Sequence, residues 1–118
     1  MSYVDGFVLP IATKNVAAYR TLARKAGKIW MEHGALEYRE CIGDDLAIKG
    51  MVAFPKAIKA KRGETVAFSW IVYKSRADRD KVIAKVMADP RLASMTAKNV
   101  PFDVKRMAYG GFKTLVKF

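Results

Sequence analysis

The run from Thr65 to Asp80, TVAFSWIVYKSRADRD, limits the fold more than any other stretch, because a strand with two apolar faces passes straight into a capped helix. Between Val66 and Tyr73 only Ser69 is neither apolar nor aromatic, and β-branched and aromatic residues favour a strand over a helical turn. Val66, Phe68, Trp70 and Val72 share one side, while Ala67, Ser69, Ile71 and Tyr73 share the other. A sheet containing this strand needs cover on both faces. Ser75 with Asp78 three residues later reads as a capping box, and Ala77, Val82, Val86 and Met87 supply the apolar stripe of the helix it opens.

The rest of the chain supplies the partners. Tyr3 to Leu9 reads as a first strand ended by Pro10, with Tyr3, Asp5, Phe7 and Leu9 on one face and the smaller Val4, Gly6 and Val8 on the other. The small face is expected to lie under the helices, where Gly6 admits close approach. Thr13 is the expected N-cap of a helix whose apolar positions recur from Val16 to His33, with Gly34 ending it. Arg20, Arg24, Lys25 and Lys28 fall between those positions and read as a solvated outer face. Ala35 to Ile42 is a second strand, with Glu37, Arg39 and Cys41 on its polar side. In the long connection from Gly43 to Glu64, Pro55 opens a helical turn carrying Ala57 and Ile58 inward. Pro90 begins a short helical piece ending near Met95, and Asn99 to Asp103 reads as a connector. Lys105 to Phe118 is the last strand, where Gly110-Gly111 suggests a bulge or the close approach of another backbone.

Strand, helix, strand, strand, helix, strand is the order of the ferredoxin-like βαββαβ arrangement, an α+β fold with two helices on one face of a four-stranded antiparallel sheet. At 118 residues the chain is long enough for one domain spanning 1–118. The sheet face away from the helices is too apolar for a monomer, so a homodimer with its sheets packed face to face is expected. One cysteine, no charged segment leading into an apolar run and no bilayer-length apolar stretch point to a soluble, cytoplasmic protein without a membrane partner. With 22 Lys plus Arg against 11 Asp plus Glu, the formal net charge of +11 favours anionic partners without specifying one.

The segments YVDGFVLP at 3–10, HGALEYRECIGDD at 33–45, FSWIVYKSRADRD at 68–80, KVMADPRL at 85–92 and PFDVKRMAYGGFK at 101–113 resemble the YbaA-like bacterial proteins, a family of unknown function. The resemblance covers nearly the whole chain and implies the dimeric α/β-barrel superfamily. That superfamily holds cofactor-free monooxygenases, haem-handling enzymes, isomerases and small ligand binders, so it implies a fold and no reaction.

Each candidate residue carries two readings. Asp5, a carboxylate in mid-strand, is either a general base or ligand anchor in the inter-subunit cavity, or half of a buried ion pair with Arg39 or Arg106. Arg39 either grips an anionic oxygen or pairs with Glu37. Trp70, Tyr73 and Tyr109 line an aromatic pocket or belong to the core and interface. His33, the only histidine, either caps the first helix or contacts ligand. A His33–Cys41 nucleophilic pair lacks an orienting third group, and the scattered carboxylates offer no metal site and no cofactor motif. Lys56, Lys59, Lys61 and Arg62 form an anion or nucleic-acid patch, or simply a solvated surface beside Phe54 and Ile58.

The leading functional expectation is a small, partly apolar and anionic ligand held between helices and sheet. Any chemistry would be cofactor-free oxygenation or isomerisation, with Asp5 as base and Arg39 or Tyr109 beside the developing oxyanion. The alternative is a basic, RNA-associated nucleic-acid-binding module.

Overall fold

The computed structural model describes residues 1–95 and 100–118, so Asn99 of the expected connector lies outside the described residues. Four strands, β1 (Tyr3–Ala12), β2 (Glu37–Ile42), β3 (Glu64–Tyr73) and β4 (Ala108–Lys113), form one sheet in the order β2-β3-β1-β4, with every neighbouring pair antiparallel. Helices α1 (Val16–Glu32) and α3 (Arg76–Ala88) pack on the same face together with the short α4 (Pro90–Ala93), whereas the short α2 (Phe54–Ala57) sets Phe54 edge-on against Phe68 of β3 on the other side of the sheet. This is the α+β arrangement with a four-stranded antiparallel sheet that the element order implies.

The sheet is turned over relative to expectation. Register pairs Asp5 with Ile71, Phe7 with Ser69 and Leu9 with Ala67, and this row of residues lies beneath the helices. Val4, Gly6 and Val8, with Phe68, Trp70 and Val72 beside them, line the open face instead. The larger side chains are what the helices need. Ile71 and Tyr73 meet Ile29, Val82 and Val86 in one cluster, while Leu9, Ile11 and Ala67 meet Tyr19 and Ala23 in the other. Val86 is fully buried, a burial that stabilises by roughly 1.5–3 kcal/mol for a side chain of its size. Ala77 and Met87, expected in that stripe, are exposed.

Local signals hold unevenly. Ser75 caps α3, its Oγ accepting from the Asp78 amide at 3.1 Å, and Gly34 ends α1 with φ +116°. Thr13 does not cap α1, because residues Thr13–Asn15 first make a 3₁₀ turn. Pro10 does not end β1, which continues to Ala12 alongside β3. Thr13 donates to the Gly63 carbonyl, so by alternation the nitrogen of Pro10 faces away from β3, beyond the point where β4 pairing stops at Ala108. Gly110 and Gly111 pair regularly with Gly6 and Asp5 without a bulge. The close approach there is a side chain, since a Cβ on Gly111 would collide with the Tyr3 ring.

Candidate functional site

Between α1, the sheet and the segment following α4 lies a cavity of about 480 Å³ with almost entirely apolar walls, including Leu22, Ala26, Trp30, Ile71 and Phe102. Its polar groups come from three places. Glu40 in β2 turns toward the helices because it alternates with Arg39 and Cys41, and its register partner Ser69 stands beside it on β3. Both Glu40 carboxylate oxygens are held, Oε1 by the Tyr19 hydroxyl at 2.6 Å and Oε2 by the Tyr38 hydroxyl at 2.8 Å. Burial first, and then the Glu40 charge, pushes both tyrosine pKa values well above the ordinary range. Both hydroxyls therefore remain donors at any physiological pH. Each carboxylate oxygen keeps a second lone pair, so the cluster presents an acceptor into an apolar space.

Gly27 is part of this construction. A Cβ there would stand 2.8 Å from the Tyr38 ring, so glycine in mid-helix admits the ring that carries the hydroxyl to Glu40. Glycine costs a helix interior about 1 kcal/mol relative to alanine, a cost offset here by that packing.

A second polar cluster sits beneath α3. Asp5 is completely buried and its Oδ1 accepts from Arg79 Nη1 at 2.8 Å, so the ion-pair partner is neither Arg39 nor Arg106. Arg79 also donates to the Tyr109 hydroxyl at 3.1 Å and lies over the Tyr3 ring, 4.9 Å from its centroid. Burial raises the Asp5 pKa above the usual carboxylate value, against the Arg79 charge and the Tyr73 and Tyr109 hydroxyls, which favour ionisation. Asp5 Oδ2 is buried with no hydrogen-bond partner at bonding distance among the described residues. Tyr73, fully buried, accepts from Trp30 Nε1 at 3.1 Å, and Tyr109 stacks on Phe7. The expected aromatic trio is thus divided. Tyr73 and Tyr109 flank Asp5, whereas Trp70 lies on the open face. Asp5 lies on the helix side, sealed by Arg79, rather than facing the open sheet.

The remaining candidates stand apart from both clusters. Arg39 is on the open side, 3.9 Å from Glu37 and over the Trp70 ring, whose Nε1 donates to Glu37. His33 is the C-cap residue of α1, with Nε2 at 2.8 Å from Asp89 Oδ2, which links α1 to the start of α4. Cys41 is half-buried on the face opposite Glu40. Lys56, Lys59, Lys61 and Arg62 are exposed, and the Lys59 backbone, at φ +54°, accepts from Arg106 through its carbonyl. Arg106 also grips Glu64 through both oxygens, fastening the end of the long connection to the turn before β4. Among the described residues no group of three or more His, Cys, Asp or Glu is placed to hold a metal, and no helix is long and apolar enough to cross a membrane.

Sequence reasoning passed over Glu40, Tyr19 and Arg79. Glu40 was detectable as a charge between Tyr38 and Ile42 on the inward side of β2, a polar residue where the alternation demands an apolar one.

The chain's likenesses agree with this fold and supply no reaction. Residues 2–104 match the family model described as "Protein of unknown function (DUF1428)". The proteins called "Uncharacterized protein YbaA" in Escherichia coli strain K12 and in Shigella flexneri are 42% identical over 116 residues, covering 98% of this chain and 98% of theirs. Among solved structures, Rv0793 from Mycobacterium tuberculosis aligns over 99% of this chain and 98% of its own with TM-score 0.60 at 14% identity. An uncharacterised NIPSNAP domain protein from Burkholderia xenovorans aligns over 95% and 93%, again with TM-score 0.60 and 14% identity. The structural likenesses speak for the fold alone, but sequence identity at this level over nearly the full length decides kinship: the chain belongs to the DUF1428 family of proteins of unknown function.

Proposed function

We propose that the protein is a homodimeric binder of a small, largely apolar molecule, held between α1 and the sheet with Glu40 accepting a hydrogen bond or proton from it. The observation that carries this reading is the apolar cavity of about 480 Å³ whose polar floor is a carboxylate fixed by two tyrosine hydroxyls. A cavity of this size lies within the range of small-molecule sites, and a few placed polar groups in an apolar wall are what orient a ligand. Among the described residues the lining contains no lysine or arginine and Glu40 is its only charged group, so the reading favours a ligand presenting a donor or an acidic proton over the anion expected from net charge. Proton removal and return is the cofactor-free chemistry that Glu40 is placed for, with the Tyr19 and Tyr38 hydroxyls fixing the orientation of its carboxyl group. Asp5, sealed beneath Arg79, takes a structural part in this reading.

The homodimer rests on the open sheet face. Val4, Val8, Phe68, Trp70, Val72 and Phe112 surround a shallow depression of about 630 Å³, an apolar surface larger than single scattered side chains explain. A second copy packed sheet to sheet covers it.

The test uses an environment-sensitive apolar dye with two variants. Ala26→Trp fills the cavity and Glu40→Gln keeps its shape while removing the acceptor charge. The expected result is loss of dye binding in Ala26→Trp, and in Glu40→Gln retained dye binding with loss of any copurifying donor-bearing ligand. Dye and cargo held equally by all three proteins would overturn the assignment.

A further inference from the structure

On the outer side of α1, against β2, runs a second depression of about 570 Å³ that shares Tyr19, Tyr38 and Glu40 with the inner cavity as a common wall. It follows α1 from Val16 to Met31, about 22 Å at the helical rise, which makes it a groove suited to an extended chain of roughly six or seven residues. Its outer wall is a sheet edge, because β2 is a terminal strand of the sheet. Gly43 donates to the Val66 carbonyl, so alternation turns the backbones of Cys41, Arg39 and Glu37 toward β3. The N–H and C=O groups of Tyr38, Glu40 and Ile42 are left on the outer edge, with no backbone partner among the described residues.

The rim of the groove is basic. Arg20, Arg24 and Lys28, spaced four apart, line one side of it, and among the described residues neither Arg20 nor Arg24 has a carboxylate at ion-pair distance. Between rim and strand the floor is apolar, with Val16, Ala23, Met31 and Ile42. An unpaired edge, a floor that takes alternate side chains and a cationic rim are together the elements of recognition by strand addition.

We propose that this groove receives an acidic, extended segment of a partner protein, which pairs with the outer edge of β2 as a fifth strand and sets alternate carboxylates against Arg20 and Arg24. A second copy of this chain is the poorer occupant. A two-fold β2–β2 pairing brings the two basic faces of α1 toward each other, and like charges in register oppose it.

The experiment uses fluorescence anisotropy with a fluorescein-labelled octapeptide of alternating Glu and Val. Controls are a matched peptide with proline at two positions that would donate to β2, and a Lys–Val counterpart. Amide exchange of the protein is followed in parallel. The expected result is binding of the Glu–Val peptide alone, slowed exchange of the Tyr38, Glu40 and Ile42 amides, and weakening by about tenfold in Arg20→Ala/Arg24→Ala, as two exposed ion pairs warrant. Both substitutions are on the exposed surface, and an unchanged melting temperature confirms the fold. Equal binding of the proline peptide would reduce the effect to unspecific charge and overturn the proposal. So would absent binding, unprotected β2 amides, or edge protection that rises with protein concentration alone and marks a second copy as the occupant.

Discussion

Replacing Arg79 by Met tests the ion pair beneath α3. The side chain of Arg79 is 13% exposed and that of Asp5 is 1% exposed, with 2.8 Å between Nη1 and Oδ1, so Arg79→Met leaves a carboxylate in the core without its countercharge. Breaking a buried pair from one side costs about 3–5 kcal/mol, a large share of the roughly 5–15 kcal/mol that holds a typical domain together. The cost depends on pH with a definite sign. Burial already raises the Asp5 pKa above its usual 3.8, so the folded state holds this proton more tightly than the unfolded chain. The stability linked to it is fully present below pH 3.8 and is lost as pH rises through the folded pKa. Without Arg79 the folded pKa climbs further, and the penalty grows between pH 4 and pH 7 as ionisation is forced on the unfolded side only. Urea unfolding of wild type, Arg79→Met and Asp5→Asn/Arg79→Met at both pH values reads this directly. The double variant should recover most of the loss at pH 7, since asparagine has no proton to lose on unfolding. A penalty equal at the two pH values, or an Asp5→Asn change that adds its own cost in the Arg79→Met background, would refute the reasoning.

Two further outcomes follow from other contacts. Arg106 and the Lys61 amide hold the Glu64 pKa down to about 2, so the stability it contributes is present above its usual 4.5 and is lost as pH falls toward 2; Glu64→Gln should flatten that part of the acid-unfolding profile. Trp70→Glu places a charge on the open sheet face, and on the proposed sheet-to-sheet pairing sedimentation velocity should give a dimer for the unaltered protein and a folded monomer for the variant.

The elements were legible wherever a local signal decides them. The β-branched run of β3, the Ser75 cap and the Gly34 stop all rest on residues within a few positions of one another. The facing of the sheet was not, because β1 and β3 are apolar on both sides and alternation alone does not rank them. Asp5 argued for the wrong side, because a carboxylate such as Asp5 or Glu40 is tolerated inward only through a partner elsewhere in the chain. Arg79 lies 74 residues from Asp5, and Tyr19 lies 21 residues from Glu40. The Gly110-Gly111 pair was legible as a close approach but not as what approaches, because the Tyr3 ring arrives from the other end of the chain. The site suffered in the same way. Asp5 drew attention as an isolated mid-strand charge, while Glu40 was hidden among Glu37, Arg39 and Cys41 in a strand that reads as polar throughout.

The central claim, an apolar ligand held over Glu40 by a dimeric protein, is tested most directly by native mass spectrometry of protein purified gently from the cell that makes it, alongside Ala26→Trp. The account predicts a dimer carrying a reproducible small-molecule mass that Ala26→Trp lacks. A protein free of bound mass, or one whose cargo survives in Ala26→Trp, would contradict it.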